Sequence, residues 1–106
     1  MKRIYIAGPI SGMPQYNRPA FKHAKGILRA YGYQPVSPLD LVPEDEPEQS
    51  YLYYIKQGLE LLDSCQAALF LPGWRRSPGA RIERIFARRE GKDIYELREN
   101  DTLKAV

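Results

Sequence analysis

Ala67-Ala68-Leu69-Phe70-Leu71, then Pro72-Gly73-Trp74-Arg75-Arg76, then Ser77-Pro78-Gly79-Ala80-Arg81-Ile82-Glu83 reads as strand, loop and helix. The first five residues form an apolar run of the length expected for a strand buried on both faces. Ser77 is a good N-cap, and Pro78 suits the first helical position because its missing N–H needs no partner there. Gly79 lets another backbone or a ligand come close. In open α/β sheets such a helix start lies at the carboxyl end of a strand, where free N–H groups and a partial positive charge suit phosphate or carboxylate. Counting about 100° per residue, Ile82, Ile85 and Phe86 cluster on one face and Glu83 falls at its edge. A carboxylate there can act as nucleophile or general base if burial tunes it. A glutamate early in a helix is also favoured simply by the helix dipole, with Arg81, Arg84 and Arg88 as surface partners.

Working outward, Lys2 to Ala7 reads as an apolar, β-branched first strand ended by Gly8-Pro9. The loop Gly8 to Pro14 is rich in turn formers, but it matches neither the dinucleotide fingerprint nor the P-loop. Pro19 to Tyr31 is amphipathic, with Phe21, Ala24, Leu28 and Tyr31 on one stripe and Gly32 as stop signal. His23 points away from that stripe and reads as solvated. Tyr33 to Ser37 forms the next strand. Leu39 to Gln49 is an acidic connector, either a solvated linker or a lid. Tyr51 to Leu62 resumes helical spacing, with Gly58 mid-helix at a cost of roughly 1 kcal/mol against alanine, which implies a close approach or a lost side chain. The helix from Pro78 to Arg89 ends at Gly91, Asp93 to Leu97 looks like a final edge strand, and Arg98 to Val106 reads as a tail. Alternating strands and helices with short connections predict a parallel sheet with helices on both faces, in the order 2-1-3-4.

The whole chain agrees with one domain. Its 106 residues support a single core, and 43% hydrophobic with 27% charged residues is ordinary for a globular protein. No apolar run is long enough to cross a membrane, and Lys2-Arg3 leads straight into Ile4 without the pattern of a signal peptide, so a cytoplasmic location is expected. Cys65 stands alone, which leaves no internal disulfide and no cysteine metal site; it reads as a small apolar filler. No metal and no cofactor are expected. The net charge of +3 is unevenly spread, with acids between Asp40 and Glu48 and arginines between Arg75 and Arg89. Arginines beside a helix N-terminus suit a phosphorylated small molecule. Nucleic-acid binding is poorly supported, since zinc patterns, RNA-binding aromatics and helix-turn-helix spacing are all missing.

Three stretches carry a resemblance: Arg3 to Gly12, Asn17-Arg18-Pro19-Ala20-Phe21, and Leu71 to Trp74 together with Ser77 to Glu83. They resemble a small bacterial and phage domain family of unknown function, of the DUF4406 type. That family is similar to the nucleoside 2-deoxyribosyltransferases and to the deoxynucleoside 5′-monophosphate N-glycosidases. The resemblance implies a flavodoxin-like three-layer α/β sandwich with a parallel four- or five-stranded sheet. It places a deoxyribosyltransferase-like domain over residues 1–97, leaving 98–106 as the C-terminal tail. By that analogy Glu83 is the nucleophile that attacks the anomeric carbon, and Tyr5 orients its carboxylate. Ser77 and Gly79 hold a 5′-phosphate, while Gly8, Ile10, Ser11 and Gly12 form the first sugar- and phosphate-binding loop. The resemblance also implies a homo-oligomer that completes its pocket from a neighbour. The chain departs from the family pattern at Gly58 and Gln66, where acidic residues are usual; losing a general acid typically removes 10²-fold or more of a rate, as an order of magnitude. Asp40 is a candidate replacement. Two functions follow: cleavage or transfer at the N-glycosidic bond of a nucleoside or nucleotide, or a catalytically weak module that binds or sequesters a nucleotide in the same cleft.

Overall fold

A computed structural model describes residues 2–41 and 51–106. The acidic connector expected as linker or lid falls mostly outside them, as do the side chains of Tyr51 and Tyr54. The described strands are β1 (Arg3–Ala7), β2 (Gln34–Val36), β3 (Ala67–Phe70), β4 (Asp93–Leu97) and β5 (Leu103–Ala105); the helices are α1 (Arg18–Ala30), α2 (Tyr51–Asp63) and α3 (Pro78–Arg89). They build one five-stranded sheet in the order β2-β1-β3-β4-β5. The first four strands run parallel and β5 is antiparallel to β4.

Alternation along β1 and β3 divides the core into two layers. Ile4, Ile6, Ala67 and Leu69 face α1 and meet Phe21, Ala24 and Leu28. Tyr5, Ala7, Ala68 and Phe70 face the other way, with Leu62 of α2 and Ala87 of α3. Each large side chain so buried contributes about 1.5–3 kcal/mol of transfer free energy. Helices on both faces of a mostly parallel sheet give the three-layer, flavodoxin-like sandwich expected from the sequence.

Two local expectations change. Residues 98–106 are not a free tail, because β5 pairs Leu103 with Leu97 and displaces β4 from the sheet edge. The turn that makes this possible is written in polar residues: Asn100 Oδ1 accepts from the Thr102 hydroxyl at 2.6 Å, and Asp101 takes a left-handed φ of 65°. His23 on α1 meets Asp101 Oδ1 at 3.0 Å, so the solvated histidine also ties the hairpin tip to α1. Tyr31 is half exposed and stacks on Tyr33 with ring centroids 6.3 Å apart, because α1 has ended at Ala30 and its inward stripe stops at Leu28.

Candidate active site

Tyr5 and Glu83 come together because of which way their elements face. Tyr5 lies on β1, between β2 and β3, with its side chain on the α2–α3 face, fully buried. Ser77 caps α3 by accepting from the Ala80 N–H at 3.2 Å, and Pro78 takes the first turn, as the sequence indicates. The inward face of α3 is nevertheless not the apolar one. Its buried residues are Ala80, Glu83 and Ala87, whereas Ile82 is 37% and Ile85 57% exposed. Small residues at i and i+7 let α3 lie close to the sheet and to α2, and the larger isoleucines are left outside. Glu83 is thus a core-facing residue and not a solvated one, with 7% of its surface exposed.

The Tyr5 hydroxyl donates to Glu83 Oε2. Burial is the main influence on the carboxyl and pushes it up to about 8, with the Tyr5 hydrogen bond acting in the opposite sense. Burial also raises the Tyr5 phenol well above its ordinary range, and the neighbouring Glu83 charge adds to this. At neutral pH Glu83 is therefore mostly protonated, and loss of that proton would create a poorly solvated carboxylate of high basicity.

This pair forms the inner wall of a cleft of about 320 Å³ at the carboxyl ends of β1 and β3. Of the residues singled out in the sequence, Tyr5, Gly8, Ile10, Ser11, Ser77, Gly79 and Glu83 line it. Gly12 does not; it is exposed in the turn beyond, at φ 77°. Gly8 is explained by close approach, since a Cβ there would lie 3.0 Å from the Leu71 Cβ. At Gly79 an added Cβ would meet nothing nearer than 3.9 Å, so packing within the chain does not require glycine there. Arg76 and Ile55 also line the cleft and were not named as site residues. For Arg76 the signal was present as a basic pair directly before the N-cap.

The first loop is held from below. Asn17 Nδ2 donates to the Pro9 carbonyl at 2.9 Å. Gln15, Tyr16 and Asn17 all have left-handed φ, a conformation that costs roughly 1–2 kcal/mol for an ordinary residue and less for asparagine. Packing of Tyr16 against the α1-side core offsets part of that cost.

The second loop is held by Arg84, which is no surface partner of Glu83. Its guanidinium lies 4.4 Å from the Trp74 ring centroid and 5.4 Å from that of Phe70, and it donates to Glu96 Oε2 at 2.8 Å. Arg75 lies 4.7 Å from the same Trp74 ring. The short helical turn Trp74–Arg76 is thereby fastened to α3 and β4 immediately before Ser77.

No other carboxylate lines this cleft among the described residues. Asp40 instead pairs with Lys25 and accepts from the Ser37 N–H, beside a larger hollow of about 710 Å³ over α1. That hollow lacks the buried acid, so its size does not make it the better candidate. Gln66 sits at the opposite end of the sheet, accepting from the Arg3 N–H at 2.7 Å. Cys65 is buried, and burial raises its thiol. Among the described residues no group of three or more His, Cys, Asp or Glu is placed to hold a metal ion, and no helix is long and apolar enough to cross a membrane.

Comparison with known proteins gives three findings. A family model described as "Domain of unknown function (DUF4406)" matches residues 2–96. None of the curated proteins matches. Among solved structures the chain is similar to one titled "2-desoxiribosyltransferase from Leishmania mexicana", with a TM-score of 0.65 and 16% identity, over 98% of this chain and 79% of that one. Similarity at that level of identity shows a shared fold.

Proposed function

The chain belongs to the DUF4406 family of domains of unknown function, and from that premise and the cleft around Glu83 we propose that it acts at the N-glycosidic bond of a nucleoside or nucleotide, by hydrolysis or by deoxyribosyl transfer. The observation that carries this reading is a buried carboxyl, hydrogen-bonded by a buried tyrosine, at the wall of a cleft that the N-terminus of the same helix also lines. The fold shared with a protein titled as a deoxyribosyltransferase supports the same class of reaction.

In the proposed reaction Glu83 first loses its proton. The carboxylate then attacks the anomeric carbon while the carbon–nitrogen bond breaks and its electron pair leaves with the base, which takes up a proton. The resulting glycosyl ester is cleaved by water, or by a second base in the transfer reaction, and the carboxylate is restored. Tyr5 holds the carboxyl throughout. Ser77, Gly79 and Arg76 suit a 5′-phosphate at the start of α3, which favours a monophosphate over a bare nucleoside. Gly8, Ile10 and Ser11 would contact the sugar.

One observation favours the second reading, a weak or inactive nucleotide-binding module. Position 58, where an acid is expected from the resemblance, carries glycine, and no other acid lines the cleft among the described residues. A homo-oligomer is part of the proposal; the exposed Ile82 and Ile85 on α3 are apolar surface suited to a second copy.

The test is chromatography of free base released from ribo- and deoxyribonucleosides and their monophosphates, with Glu83→Gln alongside. Release that disappears in the variant is the expected result. No release from any substrate, even with an acceptor base added, would overturn the enzymatic reading and leave nucleotide binding.

A further inference from the structure

Gly58 lies inside α2 with an ordinary backbone conformation that any residue could adopt, so neither a turn nor a left-handed φ explains it. A glycine there costs roughly 1 kcal/mol of helix propensity against alanine. What it supplies is the absence of a side chain. A Cβ at position 58 would overlap Glu83 Oε2, and would lie 2.6 Å from the Tyr5 hydroxyl oxygen and 3.2 Å from Glu83 Cδ. The three nearest atoms all belong to the Tyr5–Glu83 pair. Gly26, the mid-helix glycine of α1, faces open space by contrast.

We propose that Gly58 is a positioning residue for Glu83: the space left by its missing side chain is the seat that holds the carboxyl against the Tyr5 hydroxyl and out of the water of the cleft. A side chain at 58 drives the carboxyl outward into the cleft. Around the seat, β1 presents the Tyr5 phenol, and the loop before α3 presents Arg76 at the cleft. Cys65, just beyond α2, acts weakly on Tyr5. Gly58, Ile55 and Leu62, described residues of α2 on this side, bring no titratable group. Moving the carboxyl outward therefore exchanges buried surroundings for water, and its titration moves back towards the ordinary carboxylate range. The consequence for turnover rests on the N-glycosidic reading; the seat itself does not.

Two measurements test it, neither needing turnover. Gly58→Ala is introduced into the parent chain and into a Tyr5→Phe, Glu83→Ala background, and unfolding is followed in denaturant. The alanine is expected to destabilise the parent and to stabilise the background, where both oxygens are gone and only helix propensity remains. The same sign in both would overturn the proposal, and should Gly58→Ala alone fail to fold, a loss of stability in the background would overturn it by itself. Second, the Glu83 carboxyl is titrated by carbon NMR, assigned through its absence in Glu83→Gln. Gly58→Ala is expected to lower the midpoint by about one pH unit or more, and an unchanged midpoint would overturn the proposal. Base release measured in parallel separates the two ideas, because its absence removes the enzymatic reading while leaving the seat intact.

Discussion

The Tyr5 hydroxyl donates to Glu83 across 78 residues of sequence, joining β1 to the helix that opens the cleft. Both side chains are buried, and the α2 backbone at Gly58 closes over them. A carboxyl in these surroundings is mostly neutral at pH 7, which ties its chemistry to its effect on stability.

Activity should follow ionisation of Glu83. With the carboxyl raised to about 8 and the ionised form reacting, kcat/KM for base release is expected to rise about tenfold per unit below that pH and to level off above it. A rate profile with no change between about pH 6 and pH 9 would show that Glu83 does not titrate in the reaction.

Glu83→Gln should remove turnover by on the order of 10³-fold or more and should also stabilise the protein at alkaline pH. The folded carboxyl holds its proton up to about 8 while the unfolded one releases it near 4.5. Parent stability therefore falls as pH rises through that window, by roughly 1.4 kcal/mol per unit, and is flat above it. Glutamine has no such dependence. Denaturant unfolding of both proteins across the range is expected to show the gap widening with pH.

Removing the hydroxyl with Tyr5→Phe takes away the one hydrogen bond that lowers the Glu83 carboxyl. The acidic limb of the rate profile should move to higher pH, and stability should drop by about 1–3 kcal/mol as a buried polar group loses its partner. A limb that moves to lower pH would contradict the assigned geometry.

Ser77→Ala removes the α3 N-cap and should cost about 1 kcal/mol in unfolding free energy. If the same end of α3 holds a phosphate, KM should rise for a monophosphate substrate and stay nearly constant for the matching nucleoside.

Arg84→Met keeps much of the apolar stem but removes the charge that meets Trp74 and Glu96. Loss of about 1–3 kcal/mol is expected, with altered Trp74 fluorescence as the loop before Ser77 loosens. Unchanged fluorescence and stability would show that Arg84 does not hold that loop.

The sequence by itself determined the sandwich and singled out most of the residues that line the cleft. The apolar, β-branched run of β1 and the short apolar run of β3 are local signals, as are the N-cap Ser77 and Pro78 at the start of α3, because each depends on residues a few positions apart. The family motifs added Tyr5 and Glu83 as a pair, and the structure brings them together. What the local pattern could not supply was distance between elements. Hydrophobicity selected Ile82, Ile85 and Phe86 as the inner face of α3; Phe86 does pack against the core, but Ile82 and Ile85 stay outside, and Ala80, Glu83 and Ala87 turn inward where α3 lies close to the sheet and α2. The same close approach gives Gly58 its meaning, and pairing across the sheet turns the expected tail into β5. These outcomes depend on how near one backbone comes to another, which is fixed only when the three layers close on a common core.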